Sequence, residues 1–232
     1  MIAKLIKAFT GHEGSIYALE GSGRKDRVFT AGGDRIVSEW DLSGNEPARG
    51  VVKVEAVVYA LCHIPERNWL LVGTSEGRMH VIDLEGRKEL HNLELHKAGI
   101  FDLRFHPTTG NIFSASGDGS IAVLQLDRLD RTERRSLAPG HKIRAIDFHP
   151  LHPEVAFACG DGNIRIYSLE RFEERLVFPA HALSANCVRY HPAGNYLLSG
   201  GRDAHLCAWD PATGASLARI PAHNYAIYSI AF

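Results

Sequence analysis

The chain has 232 residues, 45% of them hydrophobic, and its 26 Lys and Arg against 27 Asp and Glu leave a formal net charge of -1. So even a balance supplies no global field for nucleic acid or an anionic membrane surface. Lys4 and Lys7 interrupt the apolar N-terminal stretch, no run approaches the length of a membrane span, and the four cysteines show no C-x-x-C spacing, so the reading is a soluble, cytoplasmic protein with buried free thiols.

Residues 3–9 predict an isolated strand, the outer member of a sheet. From residue 10 one pattern restarts along the chain. His12, Val54, His96, His141, His181 and His223 open successive units spaced by roughly 40 to 45 residues. Turn acids keep the same beat at Asp34, Glu76, Asp118, Asp161 and Asp203, and six residues after each stand Trp40, Ile82, Leu124, Tyr167 and Trp209. The units run 10–53, 54–94, 95–139, 140–179 and 180–221, with a partial one at 222–232. The fifth is the clearest: apolar runs at 187–190 and 196–199 and a third ending at Trp209-Asp210, bounded by Pro192, Gly201 and Asp203. Such runs between turn residues predict short antiparallel strands, four per unit. Residues 226–232 predict one more inner strand.

Gly11-His12, Asp34 and Trp40-Asp41 in the first unit, with Ala180-His181, Asp203 and Trp209-Asp210 in the fifth, resemble the GH…D…WD signature of WD40 repeats. The resemblance implies an all-β propeller of four-stranded blades, each stable only when its neighbours cover its faces. It also implies a hydrogen-bonded chain of loop His, strand Ser or Thr, turn Asp and strand Trp in each blade. On this sequence the chain is His12, Thr30, Asp34 and Trp40 in the first unit, and His181, Ser199, Asp203 and Trp209 in the fifth. The third keeps His96, Ser114 and Asp118 with Leu124 in the Trp slot. The fourth keeps His141 and Asp161, with Phe157 in place of the hydroxyl and Tyr167 in place of the indole. The second has Val54, Val72, Glu76 and Ile82, so apolar packing alone is expected there and Glu76 should reach solvent. Five complete blades with partial strands at both termini predict an incomplete ring; about 42 residues per blade would give a seven-bladed protein roughly 290 to 300 residues.

His, Asp and Ser or Thr are also the parts of a nucleophilic triad. A set repeated in most units fits a structural role better, because an active site is needed once. Gly73-Thr74-Ser75-Glu76-Gly77 matches the G-x-S-x-G elbow, yet it falls in phase with the turns of other units rather than at a strand-to-helix junction. His106, His149 and His191 each precede a proline, one per unit, and predict strand-end packing rather than convergence on an ion; His152 beside His149 adds a weak cluster. No cofactor or metal is expected.

Function is therefore sought on the propeller faces. The loops that enter first strands and those joining second to third strands share a face, where Arg35, Arg78, Lys97, Lys142, Arg144, Arg202 and Tyr225 form the candidate partner surface. The mixed-charge run 127–135 predicts a long, solubilising loop on the other face. The reading is a non-enzymatic scaffold for a protein or peptide partner. A small-molecule or nucleic-acid reader is the alternative, needing stacked aromatics in a basic groove, and a propeller hydrolase stands behind it.

Overall fold

The computed structural model describes residues 4–44 and 46–232. Among them all regular structure is strand, in five four-stranded antiparallel sheets. The first holds β1 (Ile16–Gly21), β2 (Arg27–Gly32), β3 (Ile36–Asp41) and β4 (Arg49–Lys53). The second holds β5 (Val58–Ile64), β6 (Trp69–Thr74), β7 (Arg78–Asp83) and β8 (Lys88–Glu94). The third holds β9 (Ile100–His106), β10 (Asn111–Ser116), β11 (Ser120–Gln125) and β12 (Arg128–Ser136). The fourth holds β13 (Ile143–Phe148), β14 (Glu154–Cys159), β15 (Asn163–Ser168) and β16 (Glu174–Pro179). The fifth holds β17 (Ala185–Tyr190), β18 (Leu197–Gly201), β19 (His205–Trp209) and β20 (Ser216–Pro221). No helix among the described residues is long and apolar enough to cross a membrane.

Each sheet is a meander from inner to outer strand. The inner strands pack in sequence, β1 on β5, β5 on β9, β9 on β13 and β13 on β17. Apolar clusters fill the spaces between neighbouring blades: Phe29, Val58 and Leu70 between the first two, and Ala158, Val188 and Trp209 between the last two. Among the described residues no packing of that extent joins the fifth blade back to the first, so the sheets form an open arc rather than a closed ring. Ile16 and Leu19 on the first blade and Leu217 and Ile220 on β20 are accordingly exposed.

The terminal strands expected at 3–9 and 226–232 do not form. Ala3 lies outside the described residues, and residues 4–9 and 226–232 join no sheet. A strand needs a partner for its row of N–H and C=O groups. Residues 226–232 instead run beside β17 and β18, with the Ile227 N–H donating to the Gly201 carbonyl at 3.0 Å and the Asn186 side-chain amide donating to the Ile227 carbonyl at 3.2 Å. Phe9 packs edge-on against Trp40 with ring centroids 5.8 Å apart. The run 127–135 is also corrected: most of it is strand β12, not a loop. The outer strand of a blade buries little, so charges along it blunt an edge that could otherwise pair with another chain, and Leu129 alone among 128–136 turns inward.

Candidate functional site

Two kinds of side-chain constellation stand out, one inside the blades and one where their inner strands meet. The first is the His-centred chain. In the fifth blade the Trp209 indole N–H donates to Ser199 Oγ at 2.8 Å, His181 Nε2 lies 2.8 Å from the same hydroxyl, and His181 Nδ1 lies 2.8 Å from Asp203 Oδ1. Burial lowers the His181 pKa despite Asp203, so the imidazole is neutral near pH 7. A neutral ring fits one arrangement here: Nδ1–H donates to the carboxylate and Nε2 accepts from the serine. Burial by itself would raise Asp203, but the hydrogen bond and charge of His181, with the backbone N–H groups of His205 and Ala182, outweigh it and hold the carboxyl at about 2. The first blade repeats the pattern, with His12 Nδ1 2.7 Å from Asp34 Oδ2, His12 Nε2 2.7 Å from Thr30 Oγ1, and the Trp40 indole donating to Thr30 Oγ1 at 2.5 Å.

The other blades vary it. In the third, His96 Nε2 meets Ser114 Oγ at 2.8 Å, but Ser120 stands between the ring and the acid: His96 Nδ1 lies 3.0 Å from Ser120 Oγ, which donates to Asp118 Oδ1 at 2.5 Å. Burial pushes His96 down to about 4. In the fourth blade His141 does not join the network. It is exposed, and Asp161 is gripped instead by Arg165, with contacts of 3.1 and 2.6 Å. The cause is Phe157: with no hydroxyl at the second station, a buried imidazole would leave a nitrogen unpaired, which costs about 1–3 kcal/mol. Tyr167 turns its hydroxyl to Glu174 at 3.0 Å. In the second blade Val54, Val72 and Ile82 are buried together and Glu76 is exposed.

Thr30, Ser114 and Ser199 are buried, so none of these hydroxyls is presented to a substrate. The strand-end histidines are engaged locally: His149 Nε2 donates to the Gly194 carbonyl while its Nδ1 accepts from Leu151 and His152, and His191 stacks on Tyr196 at 4.4 Å. Burial pushes the Cys62 and Cys159 thiols up to about 12 and Cys187 to about 11, so they are protonated.

The second constellation lies at the mouth of the channel. The inner strands β1, β5, β9, β13 and β17 each carry a β-bulge at their second residue, where Tyr17, Tyr59, Phe101, Arg144 and Asn186 are left out of the ladder. A bulge re-aims the extra residue's side chain, and here all five turn into one cavity of about 710 Å³, which Ile16, Lys142 and Tyr228 complete. Tyr17 meets Tyr59 edge-on at 5.4 Å, and Tyr59 stacks on Phe101 at 5.5 Å with planes 24° apart. The Arg144 guanidinium lies 4.6 Å and Lys142 Nζ 5.6 Å from the Phe101 ring centre. Neither cation forms an ion pair among the described residues, and Arg144 Nε is buried without a hydrogen-bond partner. Burial lowers the Arg144 pKa.

Further down the channel the inner strands are stitched together by carboxylates. Glu20 accepts the His63 N–H at 3.3 Å, Asp102 the Ile146 N–H at 2.8 Å and Asp147 the Tyr190 N–H at 2.7 Å, each reaching the next blade. Of the seven residues expected on the partner surface, only Lys142 and Arg144 line the cavity. Arg35, Lys97, Arg202 and Tyr225 are exposed outside it, and Arg78 is tied to Asn92 and Glu94 along its own blade. The aromatic ladder escaped the sequence reading, which took Tyr225 for the aromatic of this face. Its signal was the recurrence at 17, 59, 101 and 228, in step with the repeat.

The sequence model of the family described as "WD domain, G-beta repeat" matches residues 3–41, 87–123, 132–168 and 172–210, more than half of the chain. It passes over 42–86, most of the blade that lacks the histidine, the hydroxyl and the indole. Similar proteins include transducin-like enhancer protein 2 of Mus musculus, 25% identical over 117 residues that cover 50% of this chain and 15% of that protein. Pre-mRNA-processing factor 19 of Bos taurus is 23% identical over 171 residues, 72% of this chain and 33% of that protein. Small ribosomal subunit protein RACK1 of Brassica napus is 28% identical over 92 residues, 40% of this chain and 28% of that protein. The chain thus aligns with a third or less of each of these relatives.

Proposed function

The chain belongs to the WD40 family, and from that premise we propose that it is an interaction scaffold that receives a protein or peptide partner at the channel mouth. WD40 domains generally bind proteins and are generally without catalytic activity of their own. The observation that carries the reading is the bulge-directed set of Tyr17, Tyr59, Phe101, Lys142 and Arg144 around one cavity. Aromatic anchors beside arginine are the composition of interface hot spots. Arg35, Lys97, Arg202 and Tyr225 form the outer rim of the same surface, and the histidine chains hold the blades that present it. Four free, buried thiols suit a reducing compartment, and the cytoplasm is the proposed location.

Affinity capture with the whole chain tests this. The double variant Lys142→Glu, Arg144→Glu should lose the captured partner, whereas Arg128→Glu on the outer strand β12 should keep it. Equal capture by all three proteins would remove the channel mouth from the role.

A further inference from the structure

The chemistry of the mouth also selects among partners. We propose that it takes an acidic peptide segment bearing an aromatic residue, whose ring extends the stack and whose neighbouring carboxylates pair with Arg144 and Lys142. This rests on the reading of the mouth as the partner site and names what that site recognises.

Three observations lead there. First, the stack is unfinished: Tyr17 at its end is 56% exposed, and Tyr228, which lines the same cavity, is 72% exposed, which leaves aromatic surface open to a further flat group. Second, the Phe101 ring at the end of the ladder already carries two cations. A ring face attracts a cation through its quadrupole, but Arg144 and Lys142 both sit over Phe101, so a lysine-rich or methylated-lysine ligand would meet two like charges. Third, those two charges lack carboxylate partners among the described residues, and covering a guanidinium with a ligand that offers its open N–H groups no acceptor is costly. A purely apolar segment would incur that cost, whereas an anionic one avoids it.

A single-stranded nucleic acid also offers flat rings and negative charge. It needs a basic groove that tracks several phosphates, and here the basic pair is local. Glu13, Glu55 and Glu76 are exposed in the loops that flank β1, β5 and β6, and the whole chain carries a net charge of -1. A short peptide with its ring and acids adjacent matches two cations over one ring; an extended polyanion does not.

The bulges explain how the site is held. Tyr59, Phe101 and Arg144 are fixed on inner strands that pack against another inner strand on both sides, so this part of the surface exists before the ligand arrives and little ordering accompanies binding there.

Fluorescence polarisation with labelled heptapeptides and the whole chain is the test. Gly-Asp-Glu-Tyr-Asp-Glu-Gly should bind at least about tenfold more tightly than its Tyr→Ala version and than Gly-Lys-Lys-Tyr-Lys-Lys-Gly, since one charge-assisted contact is worth about a factor of ten. The affinity should fall as salt is raised. Arg144→Gln and Tyr59→Leu should each weaken binding by a similar factor, and Tyr59→Phe should keep it, with an unchanged thermal midpoint showing that each variant is folded. Equal binding of the acidic and basic peptides, tighter binding of an eight-nucleotide thymidine strand, or indifference to Arg144→Gln would each overturn the proposal. If the peptides fail while the Lys142→Glu, Arg144→Glu variant still loses its captured partner, the chemistry proposed here is wrong and the site stands. If that variant also keeps its partner, both fall.

Discussion

The second and fifth blades solve one packing problem in opposite ways. In the fifth, Trp209, Ser199, His181 and Asp203 pass hydrogen bonds from the core to the surface, and every polar atom of the chain is satisfied. In the second, Val54, Val72 and Ile82 fill the same stations with hydrocarbon, and the turn acid Glu76 is released to solvent. Both blades keep the same four strands and the same bulge in the inner one. The polar chain is therefore one way of filling a blade, and it works only when complete. The fourth blade makes the point: where Phe157 offers no hydroxyl, His141 is exposed and Asp161 pairs with Arg165 instead. A fully satisfied polar network and an apolar core are both sound, and a half-satisfied network is neither.

The contrast can be broken from either side. The largest effect should come from apolar deletion in the second blade. Leu70 is fully buried in the cluster shared by the first two blades, and Leu70→Ala should cost about 2–5 kcal/mol through lost transfer energy and the cavity left behind. Urea unfolding measures it, and a loss below that range would mean that the blade relies on something besides hydrocarbon.

Polar deletion in the fifth blade should come next. Asp203→Ala takes from His181 Nδ1 its acceptor and leaves the Arg219 guanidinium, 2.8 Å away in the intact protein, without its carboxylate. The expected loss is about 1–3 kcal/mol. Glu76→Ala, at the same station of the second blade, serves as its control.

A drop in pH sharpens the comparison without mutation. His96 is held neutral, with its pKa near 4 in the folded protein against an ordinary 6.5. The unfolded chain therefore binds a proton that the native state refuses, and the stabilisation present above pH 6.5 is lost as pH falls toward 4. The loss at pH 5 should be about 1–2 kcal/mol from this group, read as the change in urea midpoint between pH 7 and pH 5. His96→Gln should flatten that part of the profile. An equally steep profile in the variant would place the titration elsewhere.

How much of this was legible in the sequence depended on what each residue's phase could reveal. The five blades and the chains of the first and fifth were readable because His, hydroxyl, acid and indole recur at fixed offsets, and fixed offsets are what a repeated sheet imposes. Exceptions hid where a neighbour decides the outcome. Ser120 sits two residues past the turn acid like any strand residue, yet it intervenes between His96 and Asp118. His141 reads as a network histidine even with Phe157 in the hydroxyl slot, and its exposure shows that the missing hydroxyl decides where the imidazole goes. The channel mouth was hidden for a different reason. Tyr17, Tyr59 and Phe101 read as ordinary members of alternating strands, and only the bulges at those positions turn them into the cavity. The recurrence of these rings in step with the repeat marks them as one station, but the one-residue bulge that aims that station into the cavity leaves no mark of its own in the sequence.

The smallest effect is the most pointed. Glu76→Ala and His141→Ala should each change stability by no more than about 0.5 kcal/mol, the usual range for surface positions without special contacts. Both residues occupy stations that in the first and fifth blades hold a buried hydrogen bond, and both are exposed here. If a station by itself conferred stability, these substitutions would cost as much as Asp203→Ala. If the completed chain confers it, they cost almost nothing, because Val54 offers the acid no imidazole and Phe157 offers the imidazole no hydroxyl. Measured side by side in one urea series, the three variants separate position from partnership.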